Sequence, residues 1–167
     1  MTAPYPSPIL HLICGLPGSG KTTLAKSIAA STGALIFSPD EWIKDIWGAK
    51  AETEGNAYRD RVEQLQWKIA RRAMMRSNEV IIEWGTWGKS DREKLRDETK
   101  TLGGKVKFYY LNVPRELLKQ RILDRNRQPG PHEFYVAESE IETFLDDCFS
   151  NFQAPTEAEL ATYDEVG

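Results

Sequence analysis

Cysteine is scarce in this chain. Cys14 and Cys148 are the only two among 167 residues. One sits in an apolar run and the other in a helical pattern, without metal-ligand neighbours. That argues against a disulfide framework or a thiolate metal site, and a reduced cytoplasmic setting is expected. His11 and His132 are too far apart in sequence for a spaced ligand pair, and neither is assigned a role. No apolar run is long enough to span a membrane, and the start, punctuated by Pro4, Pro6 and Pro8, lacks the basic region of a secretory signal. There is no internal repeat and no low-complexity tract. Lys and Arg are absent from residues 128–167, which hold ten acids. The net charge of −3 therefore hides a basic body at residues 1–127, as expected around phosphorylated ligands, and an acidic end that is either functional or a solvated face.

With 40% hydrophobic residues, the length suits one domain over 1–167, with 1–8 as a flexible start. Strand and helix signals alternate. Residues 9–14, 34–37, 80–82 and 106–111 read as short buried strands. Helices are expected from Thr23 to Ala30, from Ser38-Pro39-Asp40-Glu41 with Ser38 as N-cap and Pro39 at the first position, from Tyr58 to about Ser77, from the capping box Ser90-Asp91-Arg92-Glu93, from Pro114 to about Arg127 and from Val136 to Phe152. The long helix is read from Tyr58, Val62, Leu65, Ile69 and Ala73 as its apolar stripe. Residues 48–56 read as a loop. Thr156 to Glu159 suits one capped turn, and Thr162 to Val166 a last edge strand. Helix-separated strands of this kind predict an α/β fold, a parallel sheet with helices on both faces.

The chemistry is concentrated in Gly15-Leu16-Pro17-Gly18-Ser19-Gly20-Lys21-Thr22, followed by Thr23. This is the phosphate-binding P-loop pattern. Its glycines let backbone N–H groups turn inward onto phosphate, Lys21 reaches β and γ oxygens, and the Thr22 hydroxyl suits Mg²⁺. A strand before it and a helix after it complete the context. Lys21 is expected to stand exposed until phosphate arrives. An Asn-Lys-x-Asp guanine-reading element is absent, and Val80-Ile81-Ile82-Glu83 ends in a single acid where motor ATPases usually carry two. A small nucleotide-dependent kinase predicts an acid after the second strand, an acid ending the third, and arginines leading into a mobile lid. Asp40, Glu83 and the series Arg121, Arg125 and Arg127 meet that description, with a lid at about 126–136.

From these three motifs the chain resembles the zeta-toxin and chloramphenicol phosphotransferase-like P-loop kinases. That AAA-type group also includes polynucleotide 5′-hydroxyl kinases. The resemblance implies a P-loop NTPase fold, five strands in the adenylate-kinase-like order 2-3-1-4-5. It implies ATP and Mg²⁺ as cofactors and transfer of the γ-phosphate to a hydroxyl of a small organic acceptor. Asp40 would take the hydroxyl proton, and Lys21, Arg121 and Arg125 would stabilise the transferring group. Residues 15–23 and Arg127 would hold nucleotide. Thr22 and Glu83 are the metal candidates, although many relatives end the third strand with Asp. The segments carrying Trp42, Trp84 and Trp87 would line the acceptor pocket, joined by Asp40, Glu83 and Arg59. Trp67, in the long helix, reads as core. Alternatives are a polynucleotide kinase and a non-catalytic ATP-binding module. The acidic net charge and the lack of a basic aromatic stripe speak against nucleic acid as partner. Acceptor identity and oligomeric state stay open.

Overall fold

Ile9–Gly15 forms β1 at the centre of a five-stranded, wholly parallel sheet, in a computed structural model that describes residues 6–167. The other strands are β2 (Leu35–Phe37), β3 (Val80–Gly85), β4 (Lys105–Leu111) and β5 (Glu165–Val166), in the order β2-β3-β1-β4-β5. That is the expected order. β1 pairs with β3 from Leu10↔Val80 and with β4 from Ile9↔Lys105 to Gly15↔Leu111. The edge strand β5 pairs Lys107↔Glu165 and Phe108↔Val166.

Both faces are covered, so the strands read as nearly continuous apolar runs. Leu10, Leu12 and Cys14 of β1 pack with Val80 and Ile82 against α3 (Arg59–Met74) and α4 (Lys89–Thr101). Ile13 and Ile81 face the other way, onto Ala25 and Ile28 of α1 (Lys21–Thr32). Ile81 and Ile82, both fully buried, each contribute roughly 1.5–3 kcal/mol of burial. Leu118 and Ile122 of α5 (Arg115–Arg127) pack on Ile141 and Leu145 of α6 (Ile141–Asn151). The remaining helices are α2 (Pro39–Trp47) and the single turn α7 (Glu157–Leu160), which Thr156 caps by accepting from the Glu159 amide. Among the described residues no helix is long and apolar enough to cross a membrane.

Several local expectations shift. The buried stripe of α3 is Val62, Gln66, Trp67, Ala70 and Met74, whereas Tyr58, Leu65 and Ile69 are exposed. Residues 48–50 and 55–58 are short 3₁₀ turns rather than plain loop. α4 begins at Lys89 after Gly88, so Ser90 lies inside the helix and caps nothing. Ser38 does precede α2, but its hydroxyl makes no capping bond. β3 runs on through Trp84 to Gly85, which places Glu83 within the strand.

Candidate functional site

The P-loop lies where β1 ends and α1 begins, at the carboxyl edge of the sheet, the usual position for ligands in open α/β folds. Gly18 and Gly20 adopt φ of 81° and 100°, the left-handed region that favours glycine. A side chain at Gly15 would meet Ser19 Oγ at 2.6 Å. Gly20 precedes α1 without a side-chain cap. The first amides of that helix are therefore free to bind an anion. Lys21 is half-buried, not exposed as expected, and its Nζ donates to the Leu16 carbonyl at 3.1 Å. Burial lowers its pKa, and Glu83 and Asp40 work against that shift.

Glu83 is buried beside it, and Thr22 Oγ1 donates to Glu83 Oε1 at 2.5 Å. Burial raises the Glu83 pKa, while the Thr22 hydrogen bond and Lys21 hold it down. A hydroxyl and a carboxylate at this spacing make a hard oxygen pair. That fits Mg²⁺, which takes one or two protein oxygens and completes its shell with water and phosphate.

One cleft of about 1770 Å³ runs from the P-loop to the face of α3 and α4. Asp40 lines it from the first turn of α2, and Arg59 Nη2 donates to Asp40 Oδ1 at 2.5 Å. Arg59 is fixed further by Asn56 Oδ1 at 3.0 Å and by the Phe134 ring above its guanidinium. Trp84 and Trp87 line the cleft. Trp84 Nε1 donates to Gln66 Oε1 at 2.9 Å, and Gln66 Nε2 donates to the Ser38 carbonyl at 2.9 Å. Gln66 thereby ties the indole to the turn that carries Asp40, a part that apolar periodicity passes over.

Two expected site residues lie elsewhere. Trp42 packs into the core near Phe37 and Ile43 and does not line the cleft. Two positions after Asp40 on a helix, it points about 200° away. Arg127 is exposed and bonded to Asp124 Oδ1 at 3.0 Å, outside the cleft. It stands the same angle from Arg125. Arg121 and Arg125, four apart, do face the cleft. Arg121 Nη1 donates to the Gly18 and Ser19 carbonyls at 3.1 and 3.3 Å, and Arg125 Nη2 to the Phe134 carbonyl at 3.1 Å. The 132–135 segment reaches across to the α2 side. His132 bonds Asp45 at 3.0 Å, the Tyr135 amide donates to Glu52 at 3.3 Å, and Lys44 sits over the Phe134 ring.

The turn after β3 has an anchor that sequence reading missed. Gly85 and Thr86 have φ of 88° and 43°. The left-handed conformation at Thr86 is strained for a β-branched residue. Arg92, fully buried, holds it by donating from Nη1 to the Thr86 and Trp87 carbonyls at 2.9 and 3.1 Å. Its Nε and Nη2 pair with Glu159 at 2.6 and 2.8 Å, and Tyr163 OH donates to the same carboxylate at 3.1 Å. Among the described residues three buried side-chain polar atoms lack a protein partner: Ser19 Oγ, Thr86 Oγ1 and Arg125 Nε. All three residues line this cleft. Such orphans cost roughly 1–3 kcal/mol each, and their clustering marks a place shaped for something polar.

Glu63, on the cleft wall, is pushed up to about 7, chiefly by burial; Arg59 opposes this and Asp60, Asp91 and Asp40 add to it. A carboxyl whose folded pKa exceeds its unfolded value of 4.5 stabilises the fold fully only below 4.5, and that contribution is lost as pH rises through 7. The Tm advantage of Glu63→Gln over the parent should therefore grow from acid to neutral pH and level off near pH 8. A pH-independent difference would contradict this reading of Glu63.

A family model described as "AAA domain" (AAA_33) matches residues 10–150. No curated protein sequence matches the chain. Kti12 of Chaetomium thermophilum, solved in complex with ADP-AlF3, is similar in structure with a TM-score of 0.68 at 16% identity, covering 94% of this chain and 86% of that one. Shikimate kinase of Bacteroides thetaiotaomicron aligns at 0.59 and 20% identity, covering 95% and 85%. A gluconokinase of Sinorhizobium meliloti 1021 aligns at 0.57 and 19% identity, covering 90% and 78%. At such identities the likeness is one of fold alone.

Proposed function

The chain belongs to the AAA domain family, and from that premise we propose that it is an ATP-dependent phosphotransferase acting on a hydroxyl of a small organic acceptor. The observation that carries this reading is the cleft itself. The P-loop, the Thr22–Glu83 oxygen pair, the Asp40 carboxylate and the three residues with orphaned polar groups, Ser19, Thr86 and Arg125, all line it. The fold likeness to a shikimate kinase and a gluconokinase supports it. Closer kinship with the zeta-toxin and chloramphenicol phosphotransferase-like kinases rests on residues 15–25, Ser38-Pro39-Asp40 and the arginines of α5, and is part of this proposal. So is the reading of the chain as one domain with a lid at about 126–136.

In this mechanism the P-loop amides and Lys21 hold the β- and γ-phosphates. Thr22 and Glu83 would hold Mg²⁺, which when bound would supply positive charge beside the phosphates. Asp40, oriented by Arg59, accepts the proton of the acceptor hydroxyl. The acceptor oxygen attacks the γ-phosphorus, the bond to the β-bridging oxygen breaks, and ADP leaves. Arg121 and Arg125 spread positive charge over the transferring group, which is what this reaction most requires of a protein.

Asp40→Asn tests the assignment. The amide keeps the size and can still bond Arg59, but it takes no proton. Transfer should fall by ~10²–10⁴-fold with ATP affinity and Tm nearly unchanged. Normal turnover combined with a lower Tm would make Asp40 a helix-end acid stabilised by the α2 dipole.

A further inference from the structure

The acceptor end of the cleft has an uneven charge. Resting on the phosphotransferase reading above, we infer that the acceptor carries at least one ammonium group, held by Asp60, Glu63 and Asp91. Asp60 and Glu63 are three apart on α3 and so share a face, and Asp91 opens the facing helix α4. All three line the cleft, and what acts on Glu63 there, besides its burial, is through-space charge from Arg59, Asp60, Asp91 and Asp40. Both of the other carboxylates reach Glu63 electrostatically: Asp60 and Asp91 add to its upward shift.

The cations nearby do not offset them. Arg59 is committed to Asp40 at 2.5 Å and to Asn56. Lys21 belongs to the P-loop. Lys94, one turn after Asp91, is left to answer three carboxylates. A carboxylate acceptor such as shikimate or gluconate would meet net repulsion on this wall. A neutral polyol would leave half-buried Glu63 and exposed Asp60 and Asp91 with Lys94 as their counter-charge. An ammonium group supplies that charge and three N–H donors at once.

Two further features point the same way. Trp84 and Trp87 line the same cleft, and indole faces attract cations. Thr86, only 6% exposed, lines it with a hydroxyl that no protein group satisfies. A ligand bearing hydroxyls as well as charge, as an amino sugar does, matches both.

The test uses the full chain loaded with Mg²⁺ and a non-hydrolysable ATP analogue. It is titrated calorimetrically with matched triplets on hexose, cyclitol and nucleoside scaffolds, each as the amine, the neutral alcohol and the carboxylate. In at least one triplet the amine should bind at least ~10-fold tighter than the alcohol (~1.4 kcal/mol). The carboxylate should bind weakest, and the preference should shrink as salt rises. The double variant Asp60→Asn/Glu63→Gln should abolish the preference while nucleotide affinity holds. The inference is overturned if no amine binds, if an alcohol or carboxylate ranks first in every triplet, or if the preference survives the double variant. Failure of the unmodified chain to bind the nucleotide analogue is a separate result, and it would strike the phosphotransferase reading instead.

Discussion

Replacing Lys21 with alanine should lower phosphoryl transfer by ~10³–10⁵-fold, the scale seen when a cation on a transferring phosphoryl group is lost. Tm should hold or rise. The second expectation follows from burial. The ammonium is desolvated enough to lower its pKa, and its one hydrogen bond goes to the Leu16 carbonyl. A cation held this way costs the empty protein stability and returns it when phosphate arrives. Opposite signs for activity and stability separate a functional lysine from a structural one. A variant that lost both together would show that Lys21 holds the loop rather than the ligand. Thermal shift by Mg²⁺·ATP supplies the complementary readout. The parent should be stabilised as nucleotide rises above its Kd, and the variant far less.

The largest loss of stability should come from Arg92→Met. The Arg92–Glu159 pair is almost completely buried, with side chains 0% and 1% exposed. Removing one member strands a charge, and such losses run to ~3–5 kcal/mol. For a chain of this size that is a fall in Tm of about 6–20 °C. Replacing both, as Arg92→Met with Glu159→Leu, should recover much of it, because no charge is then left unpaired. Transfer should stay impaired even so: without the Arg92 donors, the left-handed turn at Gly85 and Thr86 keeps only the Cys14 Sγ bond to the Thr86 carbonyl and the Gln153 amide bond to the Trp87 carbonyl, and Trp87 is held less firmly. Equal Tm losses for the single and double variants would contradict this account of the pair.

How much of this could be read from sequence depended on how local the cause was. The P-loop and the alternation of strands and helices arise within short stretches, and they stood out. Trp42 and Arg127 were legible in principle. Helical geometry turns each of them about 200° from a neighbour in the cleft, so pattern and periodicity applied together would have set both aside. The stripe of α3 misled because exposed Leu65 and Ile69 outrank buried Gln66 on any scale of apolarity. Gln66 is buried because the Ser38 carbonyl and the Trp84 indole satisfy its amide. The Arg92–Glu159 pair had no local signal: its members are 67 residues apart, and Glu159 lies in the acidic end that reads as a solvated face. Glu63 and Asp91 belong to amphipathic helices whose polar faces normally meet water. Only the packing of α3 beside α4 turns those faces toward one cleft.

The most direct measurement follows the γ-phosphate itself. The full chain is mixed with Mg²⁺ and γ-labelled ATP and offered a panel of hydroxyl compounds that includes amino sugars, sugars, nucleosides and 5′-hydroxyl oligonucleotides. Label should appear in a phosphate ester of a small acceptor, depend on Mg²⁺, and vanish in Lys21→Ala and Asp40→Asn. If ATP binds tightly while its label stays on the nucleotide or passes only to water, whatever the acceptor, the cleft is not a phosphotransferase site.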